Sequence, residues 1–270
     1  MYICPKCKLS LSFDTKSARC QNNHCFDISS KGYVNLLLGS KKSSAHGDSK
    51  EMLDARRDFL NLGYYSQITK TLCEIILISG QKNIAILDAG CGEGYYTFGL
   101  SDVLSRNGIS TQIFAIDVSK DAVLLAAKLD KKTSYSVASV NSLPFKDEAF
   151  DFVLSLFAPL CEEEFHRVLK PGGALVTVSP SEEHLFTLKT LIYNTPYKNP
   201  PSTFIPKLLT KTDEFKREWR MTLDNNTDIS NLFKMTPYYH KTSKKDLEKL
   251  STIHELSTEI GFVFGIYKKD

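Results

Sequence analysis

The chain has 270 residues, 42% of them hydrophobic and 24% charged, with a formal net charge of +3. That balance excludes a disordered or strongly polycationic chain and suffices for one full α/β domain plus a small module. Seven cysteines are an odd count with no secretory-type run before Cys4, and no stretch approaches the ~20 apolar residues of a membrane helix; we therefore expect no disulfide framework, no membrane span and a reducing cytoplasm.

Cys4-Pro5-Lys6-Cys7 opens the chain, and Cys20 and His24 follow in the spacing C-x2-C-x12-C-x3-H. Two cysteines on a tight turn and a second ligand pair further on close a tetrahedron around zinc and leave no open position, so the site is expected to be structural. Cys25 is the alternative fourth ligand, with His24 preferred. A module of this size, residues 1–38, cannot bury enough surface to fold alone, so metal binding must supply its stability. Residues 1–60 carry ten Lys and Arg against six Asp and Glu, so positive charge gathers at this end. Lys6, Lys8, Lys16, Arg19, Lys31, Lys41 and Lys42 suit phosphate contacts, although such an excess is also common on a solvated face.

Residues 39–50, which include the polar run Ser40 to Gly47, read as a linker between this module and a second domain over 51–270. A helix is expected from Ser49, burying Met52, Ala55, Phe59 and Leu60, with Arg56 and Arg57 projecting elsewhere into ion pairs or phosphate contacts. Tyr64-Tyr65 begins another helical stretch. Ile84 to Leu87 is then short, β-branched and apolar, as a buried parallel strand requires.

Asp88-Ala89-Gly90-Cys91-Gly92-Glu93-Gly94 follows directly. Its glycines let the backbone turn sharply and approach a ligand, but the spacing is not the G-x-G-x-x-G of a dinucleotide site, and the carboxylates of Asp88 and Glu93 would repel a pyrophosphate. They suit a ligand with a cationic amine and a sulfonium centre. The segment resembles the first motif of class I S-adenosylmethionine methyltransferases, acidic-x-Gly-x-Gly-x-Gly, and the resemblance implies a Rossmann-like seven-stranded sheet with helices on both faces. Cys91 reads as a packing residue. Ile113 to Asp117 is a second apolar run whose terminal acid can accept the ribose hydroxyls, and Ser119 caps the helix Lys120 to Leu129. Ser139 to Phe145 and Arg167 to Gly173 resemble later landmarks of that fold, with Ser139 where many members have an Asp on the adenine amine.

The acids Glu162, Glu163 and Glu164 are within plausible reach of a substrate proton, but they read more simply as the first turn of a helix, and no catalytic base is assigned. Ala174 to Ser179 is expected as the fifth strand. Residues 181–239 read as an insertion that shapes the substrate pocket; it carries Trp219 among Lys216, Arg217 and Arg220, a pattern that suits either nucleic-acid stacking or a strand with one buried face. Gly261 to Tyr267 is a core strand.

Taken together, the zinc ribbon, Lys31 to Leu37, Gly47 to Met52, Ala55 to Leu60, Gly90 to Thr97, Asp117 to Lys120, Ala158-Pro159, His184-Leu185, Ile192 to Asn194 and Met235 to Pro237 resemble the 23S ribosomal RNA guanine-N1 methyltransferases over nearly the whole length. The resemblance implies zinc on Cys4, Cys7, Cys20 and His24, S-adenosylmethionine contacted by Tyr65, Gly92, Glu93 and His184, and a guanine in a hairpin loop of 23S rRNA as target. That base would be splayed against an aromatic such as Tyr65, Phe157 or Tyr238. Two-fold assembly is an expectation from base rates of oligomers. A small-molecule, quinone-type methyltransferase and a non-catalytic RNA-binding assembly protein are the competing readings.

Overall fold

From residue 83 to residue 129 the elements alternate strand and helix because short β-branched runs alternate with 3.6-periodic ones, and parallel strands joined by helices have both faces covered. The computed structural model describes residues 1–39 and 49–270; most of the expected linker, Lys41 and Lys42 lie outside the described residues.

Three short strands, β1 (Ser12–Phe13), β2 (Ser17–Arg19) and β3 (Cys25–Asp27), form a small antiparallel sheet. After β4 (Val34–Asn35) come α1 (Lys50–Leu60), capped by the Ser49 hydroxyl on the Met52 amide, and α2 (Ser66–Ile78). The main sheet is then laid down by β5 (Asn83–Ala89), α3 (Tyr95–Arg106), β6 (Ser110–Asp117), α4 (Lys120–Leu129), β7 (Ser134–Val137), β8 (Phe150–Leu156), α5 (Glu162–Val168) and β9 (Leu169–Pro180). It finishes with α6 (Phe186–Ile192), β10 (Thr210–Leu223), α7 (Asn226–Lys234), α8 (Lys244–Leu250) and β11 (Leu256–Lys268).

The sheet order is β10-β11-β9-β8-β5-β6-β7-β4. Strand β11 runs antiparallel to both neighbours, whereas β9, β8, β5, β6, β7 and β4 are mutually parallel. The expected seven strands are present, and the zinc module adds an eighth: Val34 and Asn35 pair with Ser136 and Val137. Residues 181–239 are only partly an insertion, since β10 is a full member of the sheet, in register with β11 from Thr210 to Leu223. Trp219 lies on this edge strand with its ring 5.6 Å from that of Phe262, as the half-buried strand pattern requires.

One face of the sheet packs against α2, α3, α6, α7 and α8 through Leu72, Leu104, Leu188, Leu232 and Leu250. The other face packs against α4 and α5 and against the zinc module itself. Tyr2 is 7% exposed, and its ring lies 5.3 Å from Phe114 and 4.9 Å from Phe145. The Ile3 amide donates to the Pro144 carbonyl at 2.9 Å, and the Leu36 amide to Val137 at 2.9 Å. The module is therefore anchored at both its ends to the domain that follows it.

Replacing Tyr2 by alanine is expected to cost about 3–5 kcal/mol, the usual loss for a buried aromatic. In urea, far-UV ellipticity and zinc release should then fall in one shared transition; separate transitions would mean that the module unfolds independently of the sheet.

Candidate active site and metal centre

The metal-ligating side chains of the first module converge because the Cys4–Cys7 turn faces the β2–β3 turn that carries Cys20 and His24. The Cys4 and Cys20 sulfurs each lie 3.5 Å from His24 Nδ1, the Cys7 and Cys20 sulfurs are 3.6 Å apart, and all four ligand atoms fall within 4.8 Å of one another. Sulfur at about 2.3 Å from zinc gives tetrahedral edges of about 3.8 Å, so the spacing and the soft donor set both fit that ion. Cys25 is exposed and outside the cluster, which resolves the choice between Cys25 and His24 geometrically. Lys6, Lys8, Lys16, Arg19 and Lys31 are all exposed on the same module.

At the carboxyl ends of β5 and β6, backbone and carboxylates build a second site. Gly90, Gly92 and Gly94 have φ of 102°, 54° and 87°. A Cβ on Gly90 would stand 2.5 Å from Ala158 Cβ, and one on Gly94 would stand 2.8 Å from Ala126 Cβ, so neighbouring chain fills the space that a side chain would need. The amides of Gly90 and Cys91 both donate to the Ile116 carbonyl at 2.9 Å, tying the turn to the end of β6. Asp117 completes the tie: Oδ2 accepts the Gly92 amide at 3.0 Å and Oδ1 the Ser119 amide at 2.8 Å.

Asp88 and Glu93 are 3% and 6% exposed. Asp88 Oδ2 accepts the Thr97 hydroxyl at 2.6 Å, while Oδ1 is buried with no partner among the described residues. Burial raises the Asp88 carboxyl from 3.8 to about 6, and the nearby Asp117 and Glu93 charges add to it against the Thr97 hydrogen bond. Such an orphaned oxygen in an acidic, buried turn fits a cationic ligand group.

Tyr65 and His184 form a separate buried pair. Tyr65 ends the turn before α2, and His184 sits on the turn after β9, with Leu185 at φ 59° forcing the bend into α6. His184 Nδ1 accepts the Gly261 amide at 3.3 Å, so the neutral ring carries its hydrogen on Nε2, 3.4 Å from the Tyr65 hydroxyl oxygen. Burial, aided by the Lys189 charge, depresses the imidazole to about 3, so it stays neutral at physiological pH. The structure thus brings Asp88, Gly90, Gly92, Glu93 and Gly94 together with Asp117 at the ends of β5 and β6, and pairs Tyr65 and His184 beside the aromatic ring of Phe262.

Several side chains stand differently from their sequence reading. Arg56 and Arg57 separate: Arg57 pairs with Asp54 and Asp58 on the surface, whereas Arg56 donates to the Met235 carbonyl, with Nη1 3.8 Å from where a Cβ on Gly92 would be. Glu162 accepts the amides of Lys207, Leu208 and Leu209 at 2.7–3.0 Å, and Glu164 accepts the Leu143 amide at 2.6 Å and the Arg167 guanidinium. Both are structural anchors, in agreement with the helix-turn reading. Of the three aromatics considered for base stacking, Tyr65 and Tyr238 are buried, and only Phe157 presents its ring, 47% exposed on a backbone at φ 56°. A bulky residue in that region is an outlier of the kind that gathers at ligand sites.

Leu188-Lys189 also belongs to the segments that resemble the family, but the burial of that lysine is not legible in the sequence. Lys189 is 1% exposed, its ammonium donating to Asn199 Oδ1 at 2.7 Å and lying over the Tyr197 and Tyr238 rings at 4.5 and 4.3 Å. Asn199 in turn donates to the Ser181 and His184 carbonyls at 2.9 and 3.0 Å, and so holds the His184 turn. A lysine in a helix and an asparagine in a proline-rich loop give no signal of this pairing in one dimension.

A doubly wound sheet of this order, with a glycine turn ringed by carboxylates at the ends of its first two strands, defines a class I S-adenosylmethionine-dependent methyltransferase. The family described as methyltransferase domain matches residues 80–247, and that described as RlmA, N-terminal, matches residues 2–45. A protein of Bacillus subtilis (strain 168) that bears the name "Putative 23S rRNA (guanine-N(1)-)-methyltransferase" is 34% identical over 98% of this chain and 97% of its own length. The chain belongs to that family of 23S rRNA (guanine-N1)-methyltransferases. A 23S rRNA (guanine(748)-N1)-methyltransferase of Streptomyces fradiae is 35% identical over 68% of this chain and 65% of its own length. A demethylmenaquinone methyltransferase of Bacillus licheniformis is 31% identical over only 43% of this chain and 53% of its own length. No helix among the described residues is long and apolar enough to cross a membrane.

The Asp88 carboxyl makes the empty fold pH-sensitive. Its folded pKa lies above the unfolded value, so the folded state holds more protons between pH 4 and 6 and loses stability as pH rises through that window. Asp88→Asn should therefore raise the melting temperature of the cofactor-free protein at pH 7, by an amount corresponding to about 2–3 kcal/mol, with no gain at pH 4. An equal gain at both pH values would remove ionisation as the cause.

Proposed function

We propose that this protein transfers a methyl group from S-adenosylmethionine to N1 of one guanine in a hairpin loop of 23S rRNA. The observation that carries this reading is the match to the Bacillus subtilis relative across 98% of the chain, zinc module and methyltransferase domain together. The acidic turn supports the choice of cofactor, and the basic surface of a zinc ribbon built into the sheet supports an RNA substrate. A cytoplasmic location accords with such a substrate.

In this reading zinc is held by Cys4, Cys7, Cys20 and His24 and has no part in the chemistry. Asp117 accepts the ribose hydroxyls while keeping its bond to the Gly92 amide, and Asp88 and Glu93 supply negative charge for the cationic parts of the cofactor. Gly90, Gly92 and Gly94 let its backbone-facing edge approach closely. Because His184 donates to Tyr65, the tyrosine hydroxyl keeps its own hydrogen to donate to a cofactor carboxylate. When bound, the cofactor supplies an electrophilic methyl on a sulfonium sulfur, so the protein's contribution is alignment and exclusion of water more than covalent help. Phe157 offers the stacking face for a splayed guanine beside the ends of β8 and β9.

Labelled methyl transfer to undermethylated large-subunit rRNA, mapped at nucleotide resolution, is expected to give a single N1-methylguanine in one hairpin loop. Tight cofactor binding with no transfer to RNA would move the assignment to a small-molecule substrate or a non-catalytic role. In calorimetric titration, Asp117→Ala should weaken S-adenosylmethionine binding by about 1.5–3 kcal/mol, the worth of charge-assisted hydrogen bonds. Unchanged affinity would remove Asp117 from the cofactor site.

A further inference from the structure

Methylation at guanine N1 requires that nitrogen to lose its proton, yet among the described residues no carboxylate lines the cavity beside the glycine turn. Glu162 and Glu164 are committed to backbone amides and to Arg167. Asp88, Glu93 and Asp117 surround the glycine turn, and His184 has both nitrogens engaged. A proton leaving N1 must therefore be made acidic by the surroundings and pass to water.

A cavity of about 670 Å³ opens beside the glycine turn. Its inner wall is Ala158 and Leu160 after β8 and Ser179 and Pro180 at the end of β9; its outer wall is the strap 200–207. The wall nearest the cofactor site is set by Ala158, whose Cβ occupies the space that a side chain on Gly90 would need. The strap is pinned by the carboxylate of Glu162 on three consecutive amides, beginning with that of Lys207 at 2.7 Å. Lys207 is the one ionisable residue among those described as lining the cavity. The acid that faces it is Glu162, whose carboxylate the Lys207 charge helps hold low.

We infer that this cavity receives the target guanine and that the Lys207 ammonium, placed against O6, stabilises the N1-deprotonated base. Loss of the N1 proton leaves an anion delocalised onto O6, so a cation there makes N1 more acidic and a better nucleophile together. The proton passes to water; the electron pair left on N1 forms the bond to the methyl carbon, and the carbon–sulfur pair departs with the sulfur. Lys207 acts as an electrostatic catalyst, and the step uses no general base from the residues described as lining the cavity. The cavity's hydroxyl groups on Ser179, Ser202 and Thr203 and its proline walls suit a flat heterocycle entered edge first. This inference rests on the guanine-N1 reading of the function.

The test is single-turnover methyl transfer to a hairpin fragment of 23S rRNA between pH 6 and 9, with the full-length zinc-loaded protein and its Lys207→Gln and Lys207→Arg variants. The unaltered protein should show a rate that climbs with pH and levels off. In Lys207→Gln the same climb should move up by one to two pH units, a loss of about tenfold to a hundredfold at pH 7 that shrinks as pH rises. Lys207→Arg should restore the original profile. Independently of turnover, imino NMR of a hairpin labelled at the target guanine, bound to protein with S-adenosylhomocysteine, should show a lowered N1 pKa with Lys207 and an ordinary one with Gln. Parallel profiles with weaker RNA binding alone would make Lys207 a phosphate contact and overturn the inference. No transfer to guanine by the unaltered protein would instead overturn the function on which it rests.

Discussion

The bond between the glycine turn and the end of β6 governs the rest of the catalytic domain. A buried carboxylate is expensive unless it is hydrogen-bonded or paired, and this protein gathers three carboxylates at one point. The cost is partly offset where the carboxylates accept hydrogen bonds, Asp117 from the Gly92 and Ser119 amides and Asp88 from the Thr97 hydroxyl, while two further amides of the turn lock onto the Ile116 carbonyl and keep the acids from separating. The glycines are needed for the same reason: Ala158 and Ala126 already stand where their side chains would go. Acidic charge is thereby stored in a fixed geometry, and a cation arriving there regains the interaction that burial denied.

A similar economy governs the zinc module. Its own three strands total eight residues and could not hold a core. Zinc gathers the loops, but the module's apolar residues Tyr2, Leu11, Val34 and Leu36 are buried jointly with Phe114, Phe145 and Phe150 of the larger domain. The metal centre thus sits at one edge of the same sheet whose other strands carry the glycine turn, with Lys6, Lys8, Lys16, Arg19 and Lys31 exposed around it. The module is joined to the larger domain by main-chain bonds as well, with β4 continuing the hydrogen-bond ladder from β7.

Much of this was legible in one dimension, for physical reasons that can be named. Asp88 to Gly94 and Asp117 are readable because a strand-to-helix turn at a ligand imposes glycine and acid at fixed offsets on contiguous chain. The zinc ligands are readable through spacing for the same reason, although only three-dimensional exposure separates His24 from Cys25. The Ser49 and Ser119 caps form as expected, each hydroxyl accepting an amide three residues on. What stayed hidden depends on contacts between distant segments. Strand β10 looks like an insertion until β11, more than thirty residues later, pairs with it, and β4 is too short to announce a strand. Lys189 is a lone charge on an apolar helix and Asn199 lies in a polar, proline-rich loop; nothing in either segment predicts that they meet, and only the enclosing tyrosines show it.

The junction at Tyr2 also sets an order of events during synthesis. Its hydroxyl reaches Ser136, 134 residues away in the chain, and its ring needs Phe145. At translation rates of about 5–20 residues per second, the first module spends several seconds outside the ribosome before those partners exist. Throughout that interval Cys4, Cys7 and Cys20 have no protein wall behind them. Their protection from oxidation and from the wrong metal then depends on how fast zinc arrives, which makes the supply of that ion during growth a determinant of how much enzyme is recovered whole.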